Sequence, residues 1–203
     1  HGPALITIVT GLPAGVRVDG EFINGELRRR QGGYGRGGRQ RIETDIAEVL
    51  TGVRLGRTTG APVTMKIANK DSRLDDLVRT PPVHLPRPGH ADLAGSVKYL
   101  TTDCRDVLER ASARETASRV AAGALARCYL RDATMGIGGG EDDAIEVFGF
   151  VRSIGEAEWG GKVHQRTWRD FVEPRDASET YCPDGAMGDV TKAQIEAIHR
   201  AKV

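Results

Sequence analysis

Residues 45–69 read DIAEVLTGVRLGRTTGAPVTMKIAN. Two runs rich in Val, Ile, Leu and Thr flank a glycine-punctuated middle, GRTTG at 56–60. Such residues suit a pleated, half-buried surface, and glycine supplies the backbone angles of a reversal. The stretch predicts a β-hairpin, with 45–55 paired against 61–69. ALITIV at 4–9 reads as a further strand. IEVFGFVRSI at 145–154 alternates, with Ile145, Val147, Gly149 and Val151 on one face, and reads as another.

Helical signals stand apart from these strands. Asp19 is placed to cap GEFINGELRRR, which sets Phe22, Ile23 and Leu27 on one face. SARE at 112–115 fits a capping box, with Ser112 as N-cap and Glu115 reaching back. Behind it Ala117, Val120, Ala121, Ala124, Cys128 and Tyr129 recur at helical spacing, and the helix is expected to end near Arg131. That narrow, small-residued face implies a closely packed neighbour. Thr191 is placed to cap a last helix, 191–203. Between these elements, 70–90 carries four prolines and reads as a long loop.

A chain of 203 residues suits one good-sized domain, taken as 1–203. Aromatics are only 5%, so the core is expected to lean on Ala, Val, Ile and Leu. Cys104, Cys128 and Cys182 lie far apart with no CxxC, which predicts a reduced, cytoplasmic protein without a disulfide framework. No Cys/His spacing suggests a metal site. No apolar run has membrane-spanning length, and no signal peptide is visible. The first residue is His1 rather than Met, so the natural start is expected to lie upstream.

Residues 28–41, RRRQGGYGRGGRQR, hold six arginines and five glycines with no acid. Glycine lets a backbone wrap a ligand, and the guanidinium fork matches phosphate or carboxylate. An RNA strand is the other possible partner, stacked on Tyr34. The formal net charge is only +1, unlike that of most polyanion binders. A second cluster is LPRPGHAD at 85–92: two prolines and Gly89 hold His90 between Arg87 and Asp92. A histidine so placed suits proton transfer near neutrality, or simply bonds to Asp92 as a structural group. A third is ERASARE at 109–115, where Arg110 and Arg114 flank a helix start able to receive an anion. Together the three predict one cationic cavity for a ligand with several negative groups.

Taken in order, HGPALITIVTGLPAG (1–15), ELRRRQGGYGRGGRQRIETD (26–45), GRTTGAPV (56–63), RPGHAD (87–92) and ASARETASRVAAGALA (111–126) resemble the chorismate synthase family. The resemblance implies an α+β fold, a layered β-α-β sandwich of antiparallel sheets and helices, and a homotetramer. It implies conversion of 5-enolpyruvylshikimate-3-phosphate (EPSP) to chorismate and phosphate by 1,4-anti elimination, with reduced FMN required although no net redox change occurs. By the same resemblance His1 is the proton donor near the departing phosphate, and His90 protonates the reduced flavin. Arg30 and Arg36 bind substrate, or NADP in members that reduce their own flavin with NADPH. Arg87, Ser112 and Arg114 are expected near substrate, and Arg110, Ala111 and Ser112 against FMN. Ala111 stands where the family usually has serine, so only its backbone can contribute. No nucleic-acid or membrane partner is implied.

Family members are longer, and their downstream flavin-binding segments and catalytic aspartate motif have no match here. The chain therefore resembles the N-terminal portion of the enzyme, expected to be inactive by itself. Two competing expectations remain. An arginine/glycine-rich RNA-binding module would bind with steep salt dependence. A metal-free phosphate-ester enzyme would release phosphate without a reductant.

Overall fold

The computed structural model describes residues 2–35, 44–70, 72–73, 75–135, 145–163 and 167–201. The chain divides into two compact units, 1–30 with 41–133, and 31–40 with 134–203. Mixed helices and antiparallel sheets make it an α+β protein.

In the first unit a three-stranded sheet has the order β1-β5-β2, from β1 (Ala4–Val9), β2 (Ala47–Thr51) and β5 (Val63–Ala68). Both outer strands run antiparallel to β5, with Ala4 opposite Ala68 and Ala47 opposite Ile67. The hairpin is present, but its turn is tighter than GRTTG suggests. Strands β3 (Val53–Arg54) and β4 (Arg57–Thr58) pair around Leu55 and Gly56, both at positive φ. Two positive-φ residues match the twist of the flanking strands, so the reversal takes two residues rather than five. The register slips between Val49 and Thr51. There Gly52 has φ +80°, and a Cβ on it would lie 2.5 Å from the Pro62 carbonyl oxygen.

Val63, Met65 and Ile67 alternate onto the inner face of β5. They meet Ile23 and Leu27 of α1 (Gly20–Gln31), and Ala117, Ala121, Ala124, Leu125 and Cys128 of α4 (Thr116–Met135). Asp19 caps α1, accepting from the Phe22 N–H at 2.9 Å. Phe22 is only partly buried, and Arg127 and Arg131 lie over its ring at 4.7 and 4.1 Å. Helix α4 differs at both ends from the sequence expectation. A 3₁₀ turn, Ala113–Glu115, comes first, and the helix then continues to Met135. Ser112 does cap, but its Oγ accepts from Arg114 N–H, while Glu115 pairs forward with Arg119. The box closes on one side only.

Two helices that carry no clear periodicity in the sequence place the site. They are α2 (Asp92–Tyr99) and α3 (Leu108–Ala111), separated by the 3₁₀ turn Cys104–Val107. Gly95 faces Val107, and a Cβ there would fall 2.3 Å from Val107 Cγ1. The approach of α2 to this turn therefore depends on a missing methyl group.

The second unit has a different core. Phe148 and Phe150 stack on Phe171 with centroids 5.6 Å apart, and Trp159 meets Phe150 and Phe171 edge-on. Cys182 and Met187 complete it. The scarce aromatics are thus concentrated here, while the aliphatic core expected from composition belongs to the first unit. Residues 145–152 form no regular strand. The alternation survives with Phe148 and Phe150 inward, leaving Ile145 and Val147 exposed. Among the described residues of this unit, β6 (Ser153–Ile154) and β7 (Ala157–Glu158) pair antiparallel. Beyond α5 (Arg169–Ala177), α6 (Gly185–Ala201) starts six residues before Thr191. Asp184 supplies its cap to the Met187 N–H at 3.0 Å. Thr191 is buried within the helix, 2.7 Å from the Thr180 hydroxyl.

Gly95→Ala tests the close approach of α2. In the wild-type background it overpacks Val107, a stiff β-branched side chain, and destabilises by ~1–3 kcal/mol. In a Val107→Ala background both of the nearest methyl groups are gone and only the residue-107 Cβ remains close, at 3.1 Å, so the same change costs less, helped by the better helix propensity of alanine. Urea unfolding of the four proteins reads this difference.

Candidate active site

The proline-rich approach to His90 is fastened rather than loose. Val83 N–H donates to Asp103 Oδ1 at 2.9 Å, and Cys104 N–H returns a bond to the Val83 carbonyl at 2.8 Å. Backbone donors to Asp103, Val83 N–H first and then Arg105 N–H at 3.0 Å, hold its carboxyl below its ordinary pKa. Gly89 takes φ +70°, which allows the chain to turn between Pro88 and His90.

Asp92, the first residue of α2, lies at the centre of this loop and is 1% exposed. Its Oδ2 accepts from Arg87 Nε at 2.8 Å and from Arg87 N–H at 3.1 Å. Its Oδ1 accepts from Arg87 Nη2 at 2.9 Å and lies 2.6 Å from His90 Nδ1. The Arg87 guanidinium holds the Asp92 carboxyl well below the usual carboxylate range, outweighing the opposing effect of burial. The same pairing raises Arg87 further. A cavity of about 180 Å³ adjoins, lined by Val83, Arg87, Asp92, Cys104, Arg105 and Leu108.

A second carboxylate organises the arginines of α1 and α4. Asp45 is buried, and Arg114 Nη1 donates to its Oδ1 at 2.5 Å. Arg30 Nη1 reaches Oδ2 at 3.3 Å. Arg114 also donates through Nε to Asn69 Oδ1 at 2.8 Å and through Nη2 to the Ala68 carbonyl at 3.2 Å. Arg30 donates to the Thr116 hydroxyl and to the Ala113 carbonyl, at 3.0 and 2.9 Å. Asn69 in turn donates to the Gly2 carbonyl at 2.8 Å.

The short helix α3 leads from the cavity to the cap of α4. Arg110 is exposed and has no carboxylate partner among the described residues. Ala111 and Ser112 follow, both half-buried. Ser112 Oγ accepts from Arg114 N–H, and the hydroxyl proton has no acceptor among the described residues.

The structure thus brings Arg87 and His90 together on Asp92, and Arg30 and Arg114 together on Asp45. Arg110, Ala111 and Ser112 lie on the segment leading to Arg114. His1 and Arg36 lie outside the described residues. Tyr34, the aromatic of the glycine-rich stretch, has its hydroxyl bonded to Glu196 Oε1 at 2.8 Å, and Lys192 Nζ lies 4.7 Å from its ring centroid. Glu196 raises the pKa of the Tyr34 phenol above its ordinary value.

Asp45 and Asn69 are organising residues that the sequence reading passes over. A signal for Asp45 exists: it closely follows six arginines without an acid among them. Asn69 carries no comparable signal. All three cysteines are buried thiols, and burial raises the pKa of Cys128 and Cys182. Among the described residues, no helix is long and apolar enough to cross a membrane, and no group of three or more His, Cys, Asp or Glu is placed to hold a metal ion.

The family model described as chorismate synthase matches residues 1–202. The chain belongs to the chorismate synthase family. A protein named chorismate synthase from Thermoanaerobacter pseudethanolicus is 56% identical, over 98% of this chain and 51% of its own length. One of the same name from Desulforamulus reducens is 44% identical, over 100% of this chain and 51% of its own. A solved structure, "Crystal Structure of Chorismate Synthase", superposes with a TM-score of 0.73 at 34% identity, over 98% of this chain and 51% of that one. The chain spans about half the length of these chorismate synthases.

Two stability tests follow from the buried carboxylates. Arg114→Met removes the nearer of the two guanidiniums from Asp45 and costs ~3–5 kcal/mol, because breaking a buried ion pair strands its charge. Asp45→Asn in the same protein recovers part of that loss, read from urea midpoints. For Asp92, the depressed folded-state pKa means that its charge stabilises the fold above the unfolded value of ~3.9. That stabilisation is lost as pH falls through the lower folded value. The stability gap between wild type and Asp92→Asn is constant near neutrality and narrows in acid below that value. A gap that stays constant in acid would contradict the assignment.

Proposed function

We propose that this chain carries the N-terminal part of a chorismate synthase active site and serves the conversion of EPSP to chorismate and phosphate, with reduced FMN. The single observation that carries the reading is the fastened His90–Asp92–Arg87 cluster, within a family whose model matches nearly the whole chain.

EPSP bears a phosphate and two carboxylates. Arg87 and Arg30 present guanidiniums already fixed by Asp92 and Asp45, and the buried Arg114 holds Asp45 in place behind them, so little ordering remains when an anion binds. Fixed donors of this kind stabilise a departing phosphate without reorganising as charge develops. His90 is the proton-transferring group on this loop, working at Nε2 because Nδ1 faces Asp92. The residues also fit a flavin phosphate or ring edge. Among the described residues Arg110 is an exposed cation without a carboxylate partner, and the Ser112 hydroxyl proton has no acceptor. Ala111 offers only its backbone and methyl group. When bound, reduced FMN supplies the electron density that lets the carbon–oxygen bond to phosphate break. By family resemblance His1 is the second proton donor, and Arg36 joins Arg30 in binding substrate or NADP.

The same reading makes the enzyme a carbon–oxygen lyase of the shikimate pathway towards aromatic amino acids, cytoplasmic and homotetrameric. It treats 1–203 as the N-terminal portion of one larger domain, with NADPH as a flavin reductant in some members.

The decisive assay is anaerobic. The chain is compared with a protein in which it is joined to the downstream half of the Thermoanaerobacter relative. Chorismate and phosphate are measured from EPSP with dithionite-reduced FMN and without flavin. Flavin-dependent release of both products by the joined protein is expected, with no turnover by the 203-residue chain. His90→Ala in the joined protein lowers kcat by ~10²–10⁴-fold while substrate still binds. Phosphate release without flavin would overturn the proposal, and so would a silent His90→Ala.

A further inference from the structure

Resting on the reading above, we propose that Asp92 is a positioning residue for His90, which keeps the imidazole proton on Nδ1 and leaves Nε2 as the nitrogen that exchanges the proton. The argument begins with donors and acceptors. His90 Nδ1 is 2.6 Å from Asp92 Oδ1 and 3.1 Å from Arg87 Nη2. A guanidinium nitrogen only donates, and a carboxylate only accepts. If Nδ1 carried a lone pair, it would face the carboxylate lone pairs at 2.6 Å, which is repulsive. If Nδ1 carries the proton, that short contact becomes a charge-assisted hydrogen bond. The 3.1 Å contact with Arg87 Nη2 would need a bare Nδ1, but that nitrogen already donates to Asp92 Oδ1 at 2.9 Å, so the shorter charge-assisted contact decides and the proton sits on Nδ1.

The carboxylate cannot turn away. Three bonds from Arg87 occupy it: the backbone N–H and Nε on Oδ2, and Nη2 on Oδ1. Its backbone opens α2, which is seated against Val107 through Gly95. His90 in turn is held by a backbone bond from its N–H to the Arg87 carbonyl at 3.3 Å. Its side chain keeps 28% of its surface exposed, against 1% for Asp92, so the ring is held on the carboxylate without being enclosed. A carboxylate that only fastened the loop would need Arg87 alone. The additional short contact to the imidazole fixes both its tautomer and its orientation, as orienting carboxylates do for catalytic histidines.

The test has two arms. In the first, the 203-residue chain is labelled with ¹⁵N-histidine, and the His90 signals are assigned by their loss in His90→Ala. In the neutral form Nδ1 is expected to be protonated and Nε2 bare. The Nε2–H tautomer would overturn the proposal, whether or not the enzyme turns over. In the second, Asp92→Asn is made in the joined protein. Its kcat is expected to fall by roughly 10–10²-fold, the scale seen for residues that orient a ligand's imidazole. In a His90→Ala background the same substitution costs nothing more, because its effect passes through the imidazole. Asp92→Glu restores part of the rate. An equal loss in both backgrounds would assign Asp92 to Arg87 or to folding, and would end the proposal. Failure of the wild-type joined protein to turn over would count against the proposed function instead, leaving the tautomer to decide the role of Asp92.

Discussion

A carboxylate without access to water must be met by cations or by hydrogen-bond donors, and Asp45 is met by two guanidiniums. The consequences reach far along the sequence. Arg30 brings the last turn of α1, Arg114 brings the start of α4, and Asn69 and the Ala68 carbonyl bring the end of β5. Gly2 joins through Asn69. Five separated stretches of chain therefore converge on one charge. The hydrophobic core beside them is non-directional and would tolerate small slides of helix on sheet. Directed bonds to Asp45 and Asn69 fix the end of that core from which the candidate active-site residues project.

The same residues can be structural and functional because of guanidinium chemistry. Arginine has five donors in a rigid plane. Arg87 spends Nε and Nη2 on Asp92, and Arg30 spends all three nitrogens on protein acceptors. A lysine in either place would have one compact charged group and could not hold several acceptors in a plane. The positive charge is shared with the buried acid but not abolished. Arg110 differs in kind, since it stands exposed at the end of a short helix with no fold-level duty visible among the described residues.

Periodicity made the elements of the first unit legible. The alternation of β5 and the small-residue stripe of α4 describe the two surfaces that meet in the core. The hairpin was readable while its turn was not, because Leu at positive φ is rare and leaves no compositional mark beside Gly56. In 145–154 the alternation was readable but not its inward face. Only the ring of Phe171, distant in sequence, decides that Phe148 and Phe150 turn inward. Helices α2 and α3 are too short to show a period, and Asp184 rather than Thr191 caps α6 because a buried hydroxyl pair claims Thr191. At the site, His90 and Asp92 were legible as neighbours in RPGHAD. Asp45 was not, because its partners lie 15 and 69 residues away.

The contrast between the two carboxylates gives the site its logic. Asp45 gathers residues distant in sequence and is met by the guanidiniums of Arg30 and Arg114, so its task is to hold geometry. Asp92 gathers residues within one short loop and binds a group that can exchange a proton. A local cluster of that kind forms with little loop-closure cost, and it keeps its internal geometry even if the loop shifts as a body. A proton-transferring histidine benefits from that arrangement, because its direction is defined relative to the neighbouring guanidinium. Arg87 and His90 are registered to each other through Asp92 before either meets a ligand, and the long-range frame around Asp45 need only deliver the loop to the right place.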